Sequence, residues 1–184
     1  MKRFMDITLS LVALVVLSPL LLLVAMMVFL ESGFPVFFRQ TRLGLGGREF
    51  NMLKFRSMRR NAALTGPYFT QANDTRITRV GWFIRRTSID ELPQLINVLR
   101  GDMSLVGPRP DVPDQRSLYT PEDWVRRCSV RPGITGLAQV RGRSLASFEQ
   151  RLSFDLQYVR DVSLWHDIRI LWWTAQQLGR RHAN

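Results

Sequence analysis

The chain has 184 residues and a formal net charge of +11, with 26 lysines and arginines against 15 aspartates and glutamates. Its single cysteine, Cys128, excludes an intramolecular disulfide and a cysteine-cluster zinc site, and two histidines argue against a histidine-rich metal site. The charge predicts an anionic partner, such as lipid headgroups, nucleotides or nucleic acid. Any metal is expected to be a hard ion bound through oxygen.

The first thirty residues predict a membrane segment. Ile7 to Leu30 is an uncharged, mainly apolar run, and as a helix it would reach roughly 36 Å, enough for a hydrocarbon core of about 30 Å. The apolar part of a cleaved signal peptide is shorter, about 7–15 residues, so we expect this segment to be retained. Ser18-Pro19 interrupts it, because Pro19 lacks the amide that would bond to the Val15 carbonyl. The Ser18 hydroxyl is placed to bond to that carbonyl instead.

Two topologies fit this segment. One is a kinked helix that spans the bilayer, and the other is a hairpin that enters and leaves through one leaflet. The positive-inside tendency would hold both flanks on the cytoplasmic face, because basic residues lie on both sides of the run: Lys2 and Arg3 before it, and Arg39, Arg42, Arg48, Lys54, Arg56, Arg59 and Arg60 after it. The residues by themselves leave both topologies open.

The remaining residues, about 150, suit one compact domain. Val36–Phe38 and Glu49–Met52 read as two strands of a hairpin around the glycine-rich turn Leu43–Gly47. The same turn is a candidate phosphate cradle, although it matches neither nucleotide-binding fingerprint. The stretch Arg59–Asp74, which contains Gly66-Pro67, is a candidate substrate loop.

Three helices follow in the prediction. Leu92–Leu99 is a short helix that ends at Arg100-Gly101. A second helix carries a stripe that is expected to face the core, formed by Phe148, Leu152, Leu156 and Val159. The last helix is amphipathic and basic and either packs on the core or lies at the membrane interface; its apolar face is Trp165, Ile168, Leu171, Trp172, Ala175 and Leu178.

Asp90 and Glu91 are adjacent carboxylates at a predicted helix start. In one interpretation they are structural, because Ser88 and Glu91 have the spacing of a capping box. Pro93 opposes that box, since it would be the fifth residue of the helix and would break its hydrogen bonding. A helix that starts at Asp90 places Pro93 in the first turn, where no amide is needed. We therefore expect Asp90 to be the N-cap.

The other interpretation is catalytic. A helix N-terminus attracts phosphate, and a carboxylate such as Asp90 can attack phosphorus to form an acyl phosphate. Glu91 beside it is a candidate Mg²⁺ ligand. Mg²⁺ and arginines would offset the repulsion between the anions. The candidate cations are Arg85, Arg86, Arg109, Lys54 and Arg56.

Three segments carry a family resemblance: Lys54–Met58, Asp90–Pro110 and Arg131–Val140. Together with Ser18-Pro19, and in this order, they resemble the bacterial sugar transferases, the monotopic phosphoglycosyl transferases, over nearly the whole chain. The resemblance implies transfer of a sugar 1-phosphate from a nucleoside diphosphate sugar, usually uridine-linked, to polyprenyl (undecaprenyl) phosphate. The nucleoside monophosphate would be released through a covalent phosphosugar-aspartyl intermediate.

The resemblance also implies roles for individual residues. Asp90 would be the nucleophile, and Glu91, with Asp90, would hold Mg²⁺. The phosphates would be bound by Arg85, Arg109, Lys54 and Arg56, whereas Arg131 and Gln139 either contact the nucleotide or fold a loop. Ser18 and Pro19 would form the break of a re-entrant membrane helix.

The implied architecture is a helix-rich α+β fold. Residues 1–35 would form the re-entrant helix with its flanks, and residues 36–184 a cytoplasmic, membrane-associated catalytic domain with a short β-hairpin and amphipathic interfacial helices. The chain resembles a minimal catalytic unit of this family. Its expected location is the cytoplasmic face of the bacterial inner (plasma) membrane, on anionic phospholipid, with a UDP-sugar donor and an undecaprenyl phosphate acceptor. A homodimer is a candidate assembly.

Three other functions fit parts of the sequence. A membrane-anchored nucleic-acid binder would also be basic, but it should show a binding module or an aromatic-basic surface, and the motifs here centre on carboxylates. Nucleic acid is therefore not an expected partner. A non-catalytic assembly scaffold and a transferase that works in a single step remain alternatives.

Overall fold

The computed structural model describes residues 1–60, 62, 74–142 and 146–182, with side chains described as far as residue 177. Most of the candidate loop Arg59–Asp74 lies outside the described residues. The described elements are helices and two small sheets, which confirms the helix-rich α+β prediction. In chain order they are α1 Lys2–Ser32, β1 Phe37–Leu43, β2 Glu49–Phe55, α2 Arg79–Arg86, α3 Gln94–Arg100, β3 Ser104–Val106, α4 Pro121–Arg127, β4 Gly133–Thr135, α5 Leu137–Gly142, α6 Phe148–Arg160 and α7 Leu164–His182.

The predicted hairpin is confirmed, with longer strands than expected. β1 and β2 are antiparallel, and their register runs from Phe37 opposite Phe55 to Leu43 opposite Glu49. Gly47 in the connecting turn has a φ of 72°, a left-handed conformation that glycine adopts without steric cost. The glycine-rich segment is therefore the turn of the hairpin.

A second sheet was not predicted from the sequence. β3 and β4 are parallel, with Ser104 opposite Gly133 and Val106 opposite Thr135. The chain after β3 packs closely on β4, because a Cβ added to Gly107 would lie 2.3 Å from the Arg131 carbonyl oxygen. This contact brings two of the three family-like segments together.

The core lies between the small sheets and the helices. Its buried members come from six elements and the turn before β3: Met52, Leu95, Val98, Met103, Leu105, Val106, Leu137, Val140, Tyr158 and Ile170. The predicted core-facing stripe of α6 is wrong. The buried side chains of α6 are Asp155 and Tyr158, whereas Leu152, Leu156 and Val159 line an open groove beside Arg126 of α4. Polar partners in the interior, Arg127 and Asp167, hold the adjoining face of α6 inward.

Helix α1 is the apolar segment. It continues through Pro19, and the Ser18 hydroxyl donates a 2.8 Å hydrogen bond to the Val15 carbonyl, as predicted. Within the described residues, it is the helix that is long and apolar enough to cross a membrane. Leu11, Val16 and other large apolar side chains along it are exposed. If straight, it would be roughly 46 Å long.

The first turn of α1 is fastened to the domain by polar contacts. Lys2 Nζ lies 2.5 Å from Asp167 Oδ2, and Arg3 donates to the Val98 and Leu99 carbonyls at the end of α3. Asp6 is buried and accepts from the backbone amide of Leu105 at 3.0 Å. The charged start of α1 is therefore bound to the domain, with Asp6 in its interior.

The last turns of α1 are fastened to the same domain. Val24 and Val28 pack with Phe55 and Ile84. The Glu31 carboxylate accepts hydrogen bonds from the first two amides of α2, at 2.8 and 3.1 Å. Both ends of the apolar helix are thus bound to one body, whereas a straight spanning helix would carry its ends to opposite faces of a bilayer.

Helix α7 exposes part of the apolar stripe that was predicted for it, whereas Leu171 of that stripe packs against the core. Trp165 and Trp172 are 70% and 63% exposed, with Ile168 between them. The opposite face buries Asp167 and Ile170. α7 therefore packs on the core through one face only, and contact of the other face with a membrane stays a prediction.

Candidate active site

Asp90 and Glu91 lie in a 3₁₀ turn, Ile89–Glu91, and not at the start of an α-helix. Ser88 is left-handed, with a φ of 59°, and its side chain forms no cap. α3 begins at Gln94 with Pro93 as its N-cap. The expected cap at Asp90 is wrong, because Pro93 occupies the cap itself, where a missing amide has no cost. The alternative capping box is also not formed.

Glu91 is held as an anion. Its Oε1 lies 2.6 Å from Lys54 Nζ and 2.9 Å from a terminal nitrogen of Arg109. Burial opposes ionisation of Glu91, but the charges and hydrogen bonds of Arg109 and Lys54 outweigh it and lower the pKa to about 2. Lys54, Glu91 and Arg109, all predicted as site residues, are thus brought into direct contact from strand β2, the turn before α3 and the loop after β3.

Asp90 has the opposite environment. Its side chain is buried, and burial together with the neighbouring Glu91 charge raises its pKa to about 6, against the attraction of Lys54 and Arg85. A pair of carboxylates whose pKa values are driven apart is typical of acid, base and nucleophile assignments in active sites. Asp90 is the carboxylate that can change its charge near neutral pH.

Strand β2 brings Lys54 to Glu91. The buried side chain of Asn97, on α3, accepts from the Leu53 amide at 2.9 Å and donates to the Asn51 carbonyl at 2.8 Å. These two bonds fix β2 against the helix that follows the carboxylates. Sequence reasoning missed Asn97, because nothing in its local pattern identifies a partner more than forty residues away.

The loop after β3 brings Arg109 to Glu91. The Pro110 carbonyl accepts from Arg42 at 2.9 Å, and the Arg109 carbonyl accepts from Arg127 at 2.6 Å. The backbone of the loop is therefore held at Arg109 itself and at the next residue. Arg127 was also missed, because its only sequence feature is a place in the last turn of α4.

Two predicted site residues bind backbone instead. Arg56 donates to the Ser32 carbonyl and hydroxyl and to the Gly33 carbonyl, and so holds the end of α1. Arg131 donates through Nε to the Gly101 carbonyl at 2.9 Å, just beyond α3. Their phosphate and nucleotide contacts stay predictions.

Gln139 lies apart from these contacts. Its side-chain amide atoms are buried on α5 without a hydrogen-bond partner among the described residues. Its carboxamide oxygen approaches the position that a Cβ on Gly136 would take.

The donor set fits Mg²⁺. Among the described residues there is no cluster of three or more histidines, cysteines, aspartates and glutamates that would form an all-protein metal cage. Mg²⁺ in phosphate-handling sites is commonly bound by one or two carboxylates together with substrate phosphates. Glu91, ionised by its cationic neighbours, and the adjacent Asp90 supply that set.

The family model for bacterial sugar transferases matches residues 1–181. The chain belongs to the bacterial sugar transferase family. The family that the three segments predicted is therefore confirmed. Lys54 and Arg109, which contact Glu91 in this sugar transferase, come from two of those segments.

Individual relatives are similar over almost the whole chain. UDP-glucose:undecaprenyl-phosphate glucose-1-phosphate transferase of Xanthomonas campestris pv. campestris is 49% identical over 192 residues, which cover 99% of this chain and 40% of that protein. The protein of the same name from Caulobacter vibrioides is 45% identical, covering 96% and 69%. The uncharacterized sugar transferase EpsL of Bacillus subtilis is 43% identical, covering 97% and 87%. This sugar transferase thus spans between two fifths and nearly nine tenths of these relatives.

Proposed function

We propose that this sugar transferase moves a sugar 1-phosphate from a UDP-sugar to undecaprenyl phosphate at the cytoplasmic face of the bacterial inner membrane. The observation that carries the proposal is the unequal pair of carboxylates, an anionic Glu91 bound by Lys54 and Arg109 beside a buried Asp90 with a raised pKa. The names of the similar proteins from Xanthomonas and Caulobacter support the donor and acceptor classes.

In the first step, a carboxylate oxygen of Asp90 attacks the phosphorus that carries the sugar. The bond between this phosphorus and the oxygen that bridges the two phosphates breaks, and UMP leaves with that oxygen. In the second step, an oxygen of undecaprenyl phosphate attacks the same phosphorus and Asp90 leaves. The product is undecaprenyl diphosphate sugar, and the carboxylate is restored.

The surrounding residues suit this chemistry. With a pKa of about 6, Asp90 is largely ionised at pH 7 and remains basic enough to be a nucleophile. Arg109, Lys54 and Arg85 supply positive charge where a diphosphate would have to approach two carboxylates. Mg²⁺, held by Glu91 with Asp90, would neutralise phosphate oxygens.

The binding of both ends of α1 to one domain supports a re-entrant helix. Lys2 and Arg3 are fixed at one end and Glu31 at the other, so only the apolar middle remains to enter lipid. This arrangement would place the site at the headgroup plane. There, undecaprenyl phosphate presents its phosphate and a UDP-sugar arrives from water.

The reaction is tested with purified protein, Mg²⁺ and a panel of UDP-sugars, without a lipid acceptor. We expect stoichiometric release of UMP and a phosphosugar adduct in the intact protein mass, both absent in Asp90→Asn. Release only after addition of undecaprenyl phosphate would replace the covalent route by single-step transfer. No release with any donor in either condition would contradict the proposed activity.

The topology is tested by labelling an introduced cysteine at the exposed Phe4 in a Cys128→Ser background. In intact spheroplasts, a membrane-impermeant maleimide should leave Phe4→Cys unlabelled, as it should Val125→Cys in the domain, and label both after permeabilisation. Replacing Ser18-Pro19 by Ala-Ala should straighten α1 and expose the terminus. Labelling of Phe4→Cys from outside, in a chain with Ser18-Pro19 intact, would establish a spanning helix.

A further inference from the structure

A cluster of four side chains contacts the backbone of the candidate active site at Arg109. We call Arg127, Asp111, Asp155 and Tyr119 the Arg127 cluster. Arg127 ends α4, Asp155 is on α6, and Asp111 follows Arg109 by two residues. The Arg127 side chain is 6% exposed, so its charge is removed from water and must be compensated by neighbours.

The guanidinium of Arg127 binds three acceptors in three directions. One terminal nitrogen lies 2.5 Å from Asp111 Oδ2, and Nε lies 2.9 Å from Asp155 Oδ2. The other terminal nitrogen donates to the Arg109 backbone carbonyl at 2.6 Å. Tyr119 donates to Asp111 Oδ2 at 3.0 Å and completes the cluster.

The hydrogen bond from Arg127 to the Arg109 carbonyl links the cluster to the candidate active site. The side chain of Arg109 is half exposed and ends 2.9 Å from Glu91, so packing around that side chain restrains it little. Its position depends on the backbone from which it starts. A continuous set of contacts therefore runs from Asp155 on α6 through Arg127 and the Arg109 carbonyl to the Glu91 carboxylate.

We propose that Arg127 is a positioning residue that sets Arg109 against Glu91, and that Asp111 and Asp155 hold Arg127 in the orientation this requires. The inference rests on the proposed function for the role of Arg109. The competing view is that the cluster only stabilises the fold. Buried ion pairs are often no more stabilising than apolar packing, so stability alone gives no reason for three charges at this place.

The geometry makes lysine an informative replacement. Arginine presents a planar fork of donors, whereas lysine is a compact point charge on a flexible stem. Arg127→Lys keeps the positive charge between the two aspartates but cannot reproduce all three bonds at once. Because small misplacements of positioning groups cost up to about 10²-fold in rate, we expect Arg127→Lys to slow UMP release by about 10- to 100-fold.

The neighbouring residue is a matched control. Arg126 is on the same helix, is 63% exposed and pairs with Glu122 four residues earlier. Arg126→Lys makes the same chemical change one position away, outside the cluster. We expect its rate of UMP release to stay within about twofold of the parent, in line with the small contribution of surface ion pairs.

A double-mutant cycle separates positioning from stability. If Arg127 acts through Arg109, then Arg127→Lys should have little further effect, under about threefold, once Arg109→Gln has removed the guanidinium. A structural role would instead give the full 10- to 100-fold loss in both backgrounds. Asp155→Asn, which keeps an acceptor, should show a smaller loss with the same dependence on Arg109.

The cycle is measured as single-turnover UMP release and as the dissociation constant for UDP by calorimetry, which needs no turnover. Unchanged release by Arg127→Lys, or equal effects with and without the Arg109 guanidinium, would overturn the inference. If the parent chain releases no UMP with any donor, the proposed function fails. The same cycle in UDP binding then decides the positioning role by itself.

Discussion

The candidate active site and the Arg127 cluster contain the same types of side chain, carboxylates and arginines, but pair them differently. Each contains an aspartate, Asp90 or Asp155, whose pKa is raised to about 6, by burial first in both cases. In the cluster, Arg127 bonds directly to the carboxylates of Asp111 and Asp155. In the site, the cations bond to Glu91, and no described residue forms an ion pair with Asp90. In the proposed reaction, Asp90 would stay available as a nucleophile because the neighbouring Glu91 binds Lys54 and Arg109.

The largest expected effect follows from removing the charge of Asp90. Asp90→Asn should lower UMP release on the order of 10³-fold or more, as loss of a nucleophile does, and should remove the covalent adduct. Asp155→Asn should retain measurable release and the adduct. The measurement is the rate of single-turnover UMP release for the two variants. Equal losses in both would show that the two aspartates do not differ in function.

Removing the charge of Glu91 should have the next largest effect. Glu91→Gln loses the ion pairs with Lys54 and Arg109 and the carboxylate expected to hold Mg²⁺. We expect a rate decrease of roughly 10- to 100-fold and a higher Mg²⁺ concentration for half-maximal rate, in the range seen when metal-site groups are altered. A Mg²⁺ titration identical to that of the parent would remove Glu91 from the metal site.

The raised pKa of Asp90 predicts a pH effect. Protonated Asp90 cannot attack phosphorus, so kcat/KM should fall about tenfold per pH unit as the pH decreases below about 6. In Glu91→Gln the midpoint should move to lower pH, because a like charge is removed. A midpoint near the ordinary aspartate value in the parent chain would show that burial does not perturb Asp90.

The smallest effect concerns stability and tests the raised pKa of Asp155 in the cluster. The pKa of Asp155 is higher in the folded than in the unfolded chain, so the folded state binds more protons between about pH 4 and 6. The unfolding free energy should therefore fall as pH rises through that window, by about 1 kcal/mol per unit for this group. Denaturant titrations of Asp155→Asn should show a shallower fall, and an unchanged slope would contradict the raised pKa.

Local patterns in the sequence were sufficient for some of this architecture and insufficient for the rest. The hairpin, the glycine that ends α3 and the bond from Ser18 to Val15 depend on neighbours within a few residues. The carboxylate pair was visible because its two members are adjacent. These features are determined by residues that are close together in the sequence.

The missed residues depend on distant partners. Arg127 meets Asp155 from 28 positions away, and Asp6 meets Leu105 from 99 positions away. No periodicity or motif encodes such pairs. The stripe on α6 failed for the same reason, because Asp155 and Tyr158 are drawn inward by Arg127 and Asp167, and the apolar positions beside them turn to the groove.

The fastening of the first turn of α1 has a consequence for biosynthesis. Lys2 binds Asp167, which the ribosome adds 165 residues later. At about 5–20 residues per second, that interval is roughly 8 to 33 s. The partners of Glu31, Arg3 and Asp6 are made earlier in this interval, whereas the partner of Lys2 is missing throughout it. Because large apolar side chains of α1 stay exposed, we expect lipid or a chaperone to cover the helix during this time and its attachment to be complete only after Asp167 is made.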